Sequence, residues 1–135
     1  MKLEKRPRST RSNETRDITG PVIRALNVMT GVRVVRNNNL GPVVPWRNKD
    51  ARPIQSGLGA GSADLVGIVT CPFMGALTQS GRVFVLETKS ARGVARQDQE
   101  RWLAAVRRLG GFACVVRSVD EAVAAVVRCR RGASQ

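Results

Sequence analysis

Residues 81–102 read GRVFVLETKSARGVARQDQERW. An apolar run, Val83 to Leu86, leads into Glu87-Thr88-Lys89. A small polar break follows, and then a helix-like segment carrying Gln99 and Trp102. Side chains alternate between the faces of an extended strand, so Glu87 and Lys89 point the same way. A carboxylate and an ammonium at the end of an otherwise apolar strand are costly to bury unless paired or used. The triplet alone is weak, since Glu-x-Lys arises by chance about once in a few hundred residues at ordinary composition. Its surroundings decide what it means.

Upstream, Asp64 to Val69 (DLVGIV) reads as a strand with an acid at its start, and residues 70–80 contain Cys71-Pro72 and Gly75, a turn or short loop. A connection this short favours an antiparallel hairpin, which makes Asp64 and Glu87 neighbours in space. Downstream, a helix spans about residues 94–109, with Trp102, Val106 and Leu109 on one face and Leu103 beside them. Gly110-Gly111 ends it, and Phe112 to Arg117 is a further strand. Strand, helix and strand in that order predict a right-handed crossover with parallel strands. Ser118 and Glu121 form a capping box before the apolar stripe Val119, Ala122, Val123, Val126 and Val127, and Arg128, Arg130 and Arg131 suit the last turn.

Nearer the start, Ile18, Val22, Ile23, Leu26 and Met29 have helical spacing, interrupted by Gly20-Pro21, where the helix begins or kinks. Gly31 is its stop, and Val32 to Arg36 is a first strand closed by three asparagines. Residues 40–63 are long and irregular, with Pro42, Pro45, Pro53 and a GLGAG stretch; such loops are usually functional or mobile. Trp46 with Arg47, Lys49 and Arg52 suits either contact with DNA or, for the ring, cover of the core edge. The GLGAG stretch lacks the Gly-Lys-Ser/Thr of a nucleotide loop and reads as a flexible segment that lets backbone approach DNA. The element order is α-β-β-β-α-β-α, a mixed α/β sheet. One domain over 13–131 is expected, with a flexible basic arm at 1–12 and a tail at 132–135.

The chain has 135 residues, 23 Lys and Arg against 10 Asp and Glu, and a formal net charge of +13. That field implies a polyanionic partner, most often nucleic acid. Only 4% of residues are aromatic and none is Tyr, which disfavours base stacking and favours phosphate-backbone contact. No apolar run approaches the ~18 residues of a membrane span, and the N-terminal stretch MKLEKRPRSTRSNETR lacks the apolar core of a secretory signal. A cytoplasmic protein that contacts no membrane is expected. With no His, Ser-His and Cys-His catalysis and His-containing zinc sites are excluded. Cys71, Cys114 and Cys129 are scattered, without a C-x-x-C, and read as reduced thiols. Any metal is therefore held by oxygen, which points to Mg²⁺ or Mn²⁺.

Two adjacent carboxylates repel, and a divalent cation relieves that repulsion. Asp64, Glu87 and the backbone carbonyl of Thr88 supply part of an octahedral shell, in which a cation acidifies water and polarises a phosphate. Lys89 is placed to orient the attacking water or offset charge developing on phosphorus. Each residue also has a plain structural reading: Asp64 as a turn cap, Glu87 with Lys89 as a surface pair, Gln99 on an exposed helix face, Trp102 in the core.

As an ordered set, Gly61-Ser62-Ala63-Asp64, Glu87-Thr88-Lys89, Gln99, Trp102 and Gly110, with Arg36-x-Asn38 after the first strand, resembles the VRR-NUC family of the PD-(D/E)XK nuclease superfamily. The resemblance spans roughly residues 14–123 and departs from the family at Ala63, where a proline is common. It implies a PD-(D/E)XK core, metal ligation by Asp64 and Glu87, a catalytic Lys89, and Gln99 supporting the site from the helix. It also implies an acid in the first helix, for which Glu14 fits best. Standalone members of this size resemble homodimeric Holliday-junction resolvases of bacteria and phages, acting in the cell or in the infected host. The expected activity is thus a Mg²⁺-dependent, structure-specific DNA endonuclease, with Arg36, Asn38, Arg47, Lys49, Arg52, Ser62, Arg92 and Arg96 as DNA contacts. The rival from another class is a non-catalytic basic nucleic-acid-binding module.

Overall fold

Two apolar strands joined by a short connection pair antiparallel, and that pairing forms the centre of the sheet. The computed structural model describes residues 15–39, 42–43, 50, 54–55, 57–72 and 80–133. Its strands are β1 (Val32–Arg36), β2 (Pro42–Val43), β3 (Ile54–Gln55), β4 (Leu65–Cys71), β5 (Ser80–Thr88) and β6 (Phe112–Val116). Its α-helices are α1 (Gly20–Asn27), α2 (Gln97–Arg108) and α3 (Val119–Arg130). The chain is a mixed α/β protein. Four strands lie in the order β1-β4-β5-β6, and β2 and β3 make a separate two-residue ribbon.

The expected hairpin is present: β4 and β5 run antiparallel from Leu65 opposite Leu86 to Cys71 opposite Ser80. The crossover through α2 makes β6 parallel to β5, with Phe84 beside Phe112. β1 adds antiparallel on the far side of β4. Alternation along β5 splits the core. Phe84 and Leu86 face α1 and α3 with Val22, Leu26 and Val126, while Val85 faces α2 with Leu103 and Ala113. Glu87 follows Val85 by two residues and so continues on the α2 face. Gly67 is opposite Phe84 because a Cβ there would stand 2.3 Å from the Phe84 ring.

Several boundaries differ from the sequence reading. The first α-helix opens at Gly20, one residue before Pro21. A π-helical stretch, Thr15–Thr19, runs directly into α1, so the change of helix type falls beside Gly20-Pro21. α2 starts at Gln97, and Val94 lies exposed in the connector. Leu109, expected on the apolar face, is 89% exposed and caps the helix after its last turn. The region expected to be irregular contains the β2–β3 ribbon. Trp102 packs against the smaller core cluster, as expected. Outside the described residues lie the basic arm, Glu14, Trp46, Arg47, Lys49, Arg52 and the last two residues of the tail. Among the described residues no helix is long and apolar enough to cross a membrane.

The edge strand β1 is tied to α1 by one side chain. Asn27 donates to the carbonyl of Val34 and accepts from its N–H, each at 2.9 Å, covering backbone groups that an edge leaves open.

Candidate functional site

Extending the β4–β5 register by one residue sets Asp64 opposite Glu87, and the Asn37 N–H donates to the Asp64 carbonyl at 2.8 Å, anchoring Asp64 from β1 as well. The Asp64 carboxylate turns toward the strand end. Its Oδ2 accepts from the Thr88 N–H at 2.9 Å and from the Thr88 hydroxyl at 2.8 Å. That hydroxyl's single proton is thereby committed. Thr19 Oγ1, 2.8 Å away, is therefore the donor to Thr88. Thr19 and Thr88 are both buried, so a hydroxyl chain runs from the first helical segment to the acid. Thr88 thus gives Asp64 both its N–H and its side-chain hydroxyl.

Glu87 is fully buried. Its two oxygens are treated unequally. Oε1 pairs with Lys89 Nζ at 2.8 Å and also accepts from Gln99 Nε2. Oε2 is buried and has no hydrogen-bond partner. Burial pushes the Glu87 pKa above its ordinary 4.5, the hydrogen bond from Lys89 pulls it back, and the Asp64 charge pushes it up again; the net direction is upward.

Gln99 occupies the first turn of α2 and is buried. Its Oε1 accepts the Arg96 N–H at 2.9 Å, closing a helix-terminal donor, while its Nε2 reaches Glu87. A carboxamide carries both the acceptor and the donor that this position uses.

The approach to Asp64 is organised by Asn37. Its Nδ2 donates to Ser62 Oγ at 2.8 Å and to the Ala63 carbonyl at 2.9 Å, and its Oδ1 accepts from the Leu58 N–H at 3.0 Å. The expected flexible glycine stretch is a tied turn here. Gly57 has φ +72°, and Gly61, at φ +77°, lies where a Cβ would stand 3.0 Å from the Asp98 carbonyl in α2.

The structure brings together Asp64, Glu87, Thr88, Lys89 and Gln99. It does not offer Ser62 to DNA: that side chain is buried, and its hydroxyl donates to the Gly59 carbonyl at 2.6 Å while accepting from Asn37. Arg36 and Asn38 are exposed beside a cavity of about 450 Å³ at the end of β1. Arg92 is exposed, and Arg96 is paired with Asp98 at 3.1 Å. Sequence reasoning missed Asn37 and Thr19. The run of three asparagines after β1 was the available signal for the first; no local signal marks Thr19.

Among the described residues no group of three or more His, Cys, Asp or Glu side chains converges, and Asp64 and Glu87 are the two acids that meet at this strand end. The donor set suits a hard divalent ion. The orphaned Glu87 Oε2 is the observation that fits one, because a buried carboxylate oxygen without a donor calls for a proton or a cation. No protein-family model, no curated protein and no solved structure matches this chain.

Proposed function

We propose that the chain is a Mg²⁺- or Mn²⁺-dependent DNA endonuclease with a PD-(D/E)XK core of the VRR-NUC kind, acting on branched DNA as a homodimer. The observation that carries this reading is the buried Glu87, with Oε1 held by Lys89 and Gln99 and Oε2 left open beside Asp64. Asp64 and Glu87 hold the cation. When bound, it supplies Lewis-acid polarisation of the scissile phosphate and a lowered water pKa. Lys89, with 14% of its side chain exposed, sits between the buried acid and solvent, where its ammonium orients the attacking water and offsets charge developing on the phosphoryl oxygens. Gln99 keeps Glu87 aimed, and the Thr88 donors keep Asp64 aimed. The net charge of +13 concentrates DNA at the surface.

The test is cleavage of a four-way junction and of linear duplex, with and without Mg²⁺, by wild type, Glu87→Ala and Lys89→Ala. Loss of the lysine should lower the rate by roughly 10²–10³, the usual consequence of removing one stabiliser of developing charge. Equal cutting by wild type and both variants rejects the site. Tight, salt-dependent binding without turnover supports the non-catalytic binding module instead.

A further inference from the structure

A cavity of about 750 Å³ opens at the other end of β5, lined among others by Ser80, Gly81, Arg82, Gly110, Arg130 and Arg131. Gly81 precedes Glu87 by six residues, so at ~3.4 Å per residue the cavity lies roughly 20 Å from the carboxylates.

Three arginines, Arg82, Arg130 and Arg131, line it, and a fourth, Arg128, lies in the same last turn of α3. Arg82 donates to the carbonyls of Gly110 at 3.3 Å, of Cys129 at 3.2 Å and of Ala133. Its charge thereby meets the negative end of α3. Arg82 and Arg128 each stand 5.9 Å from the centre of the Phe112 ring. Arg130 gives one N–H to the Thr30 carbonyl, but its Nε–H is buried without a partner. Arg131 caps α3 and is exposed. Among the described residues, no carboxylate forms an ion pair with any of the four. A helix terminus carries only about half a charge, and Arg82 already faces it. The remaining cations repel one another, and an anion relieves that repulsion.

We propose that this cavity binds a phosphoryl anion, either a backbone phosphate of nucleic acid or a free phosphate compound, at a site separate from the carboxylates. Guanidinium forks match the oxygens of such a group, and the Arg130 and Arg131 side chains that line the cavity are the cations present for it. Arg82 acts differently, as the clamp that keeps the end of α3 in place.

The full chain in EDTA, followed by NMR at the Arg130 Nε–H and the Gly132 amide, tests this without reference to cleavage. Inorganic phosphate should shift both resonances with saturation, and Arg131→Gln should weaken that binding about tenfold, as loss of one charge-assisted hydrogen bond does. Arg131 is exposed, so its variant should unfold at the wild-type temperature. A duplex of about 20 base pairs, added next, separates the sources. If it moves the same resonances and competes with phosphate, the ligand is a nucleic-acid backbone. Arg130→Gln/Arg131→Gln should then lower the salt slope of duplex binding by ~0.9 for each phosphate it no longer neutralises. If only phosphate moves them, the ligand is a free phosphate compound. No shift with either probe, or a Gly132 amide shift that is unchanged in the double variant, overturns the proposal. A Glu87→Ala protein should bind phosphate as wild type does, so failure of the nuclease reading leaves this result intact.

Discussion

The Gln99 carboxamide joins the first turn of α2 to the buried carboxylate of Glu87, accepting from the Arg96 N–H with one end and donating to Glu87 Oε1 with the other. Gln99→Glu keeps the acceptor and replaces the donor with a second negative charge beside a buried acid. We expect it to destabilise the metal-free protein by about 1–3 kcal/mol at pH 8 and to recover as pH falls and the pair takes up a proton. Gln99→Ala, which loses both bonds, should show no such recovery. Urea unfolding at pH 5 and pH 8 distinguishes them.

Glu87 itself sets a pH dependence. Its folded pKa lies above 4.5, chiefly because it is buried. The native state therefore holds this proton more tightly than the unfolded chain does. The associated stability is complete below 4.5 and is lost as pH rises through the folded value, with a slope of at most about 1.4 kcal/mol per pH unit. Glu87→Gln should flatten that part of the curve. In wild type above that range, Mg²⁺ at 100 times its Kd should add about 2.7 kcal/mol, measured as a shift in the urea midpoint.

The Thr19–Thr88–Asp64 chain is a second buried polar unit. Thr19→Val removes one hydroxyl and should cost about 1 kcal/mol, whereas Thr88→Val also strips Asp64 of a donor and should cost about 1–3 kcal/mol. Because the two share one hydrogen bond, the double variant should depart from additivity by at least ~0.5 kcal/mol. Additive losses in chemical denaturation would show that the hydroxyls do not act together.

Asn37 should matter more than its neighbour Asn38. Asn37→Ala deletes three side-chain hydrogen bonds that hold residues 58–63, and we expect a loss of about 2–3 kcal/mol. The exposed Asn38→Ala should stay within about 0.5 kcal/mol of wild type. Gly57→Ala is expected to resemble Asn37→Ala, since its Cβ would stand 2.7 Å from Asn37 Oδ1 at a positive φ. Thermal unfolding of the three variants ranks them.

Burial raises the Cys129 pKa from 9.0 to about 11. At pH 8 its thiolate fraction falls about 100-fold, so iodoacetamide should label it at least that much more slowly in the folded protein than in urea. Comparable rates in the two states would contradict the buried placement of the α3 C-terminal turn.

Much of this architecture is local in origin. Short apolar runs in DLVGIV and RVFVLE mark two strands, their short connection makes them a hairpin, and the Ser118–Glu121 cap with its apolar stripe marks the last helix. These features predict which acid lies opposite Glu87. The same local rules misplace Leu109, because periodicity does not say at which residue the helix itself ends.

By itself, then, the sequence determined the strand order along the hairpin and crossover, the absence of any imidazole chemistry, the basic field, and the candidates Asp64, Glu87, Lys89 and Gln99. Only the tertiary structure decided how each atom is used. It turned Ser62 inward, gave Asn37 the task of holding the turn before Asp64, left one oxygen of Glu87 open, and joined Thr19 to Thr88 across 69 residues of chain. Periodicity assigns a side chain to a face, and burial then follows. Hydrogen-bond partners depend on register, rotamer and approach distance to within a few tenths of an ångström, and those are set only when distant segments pack together.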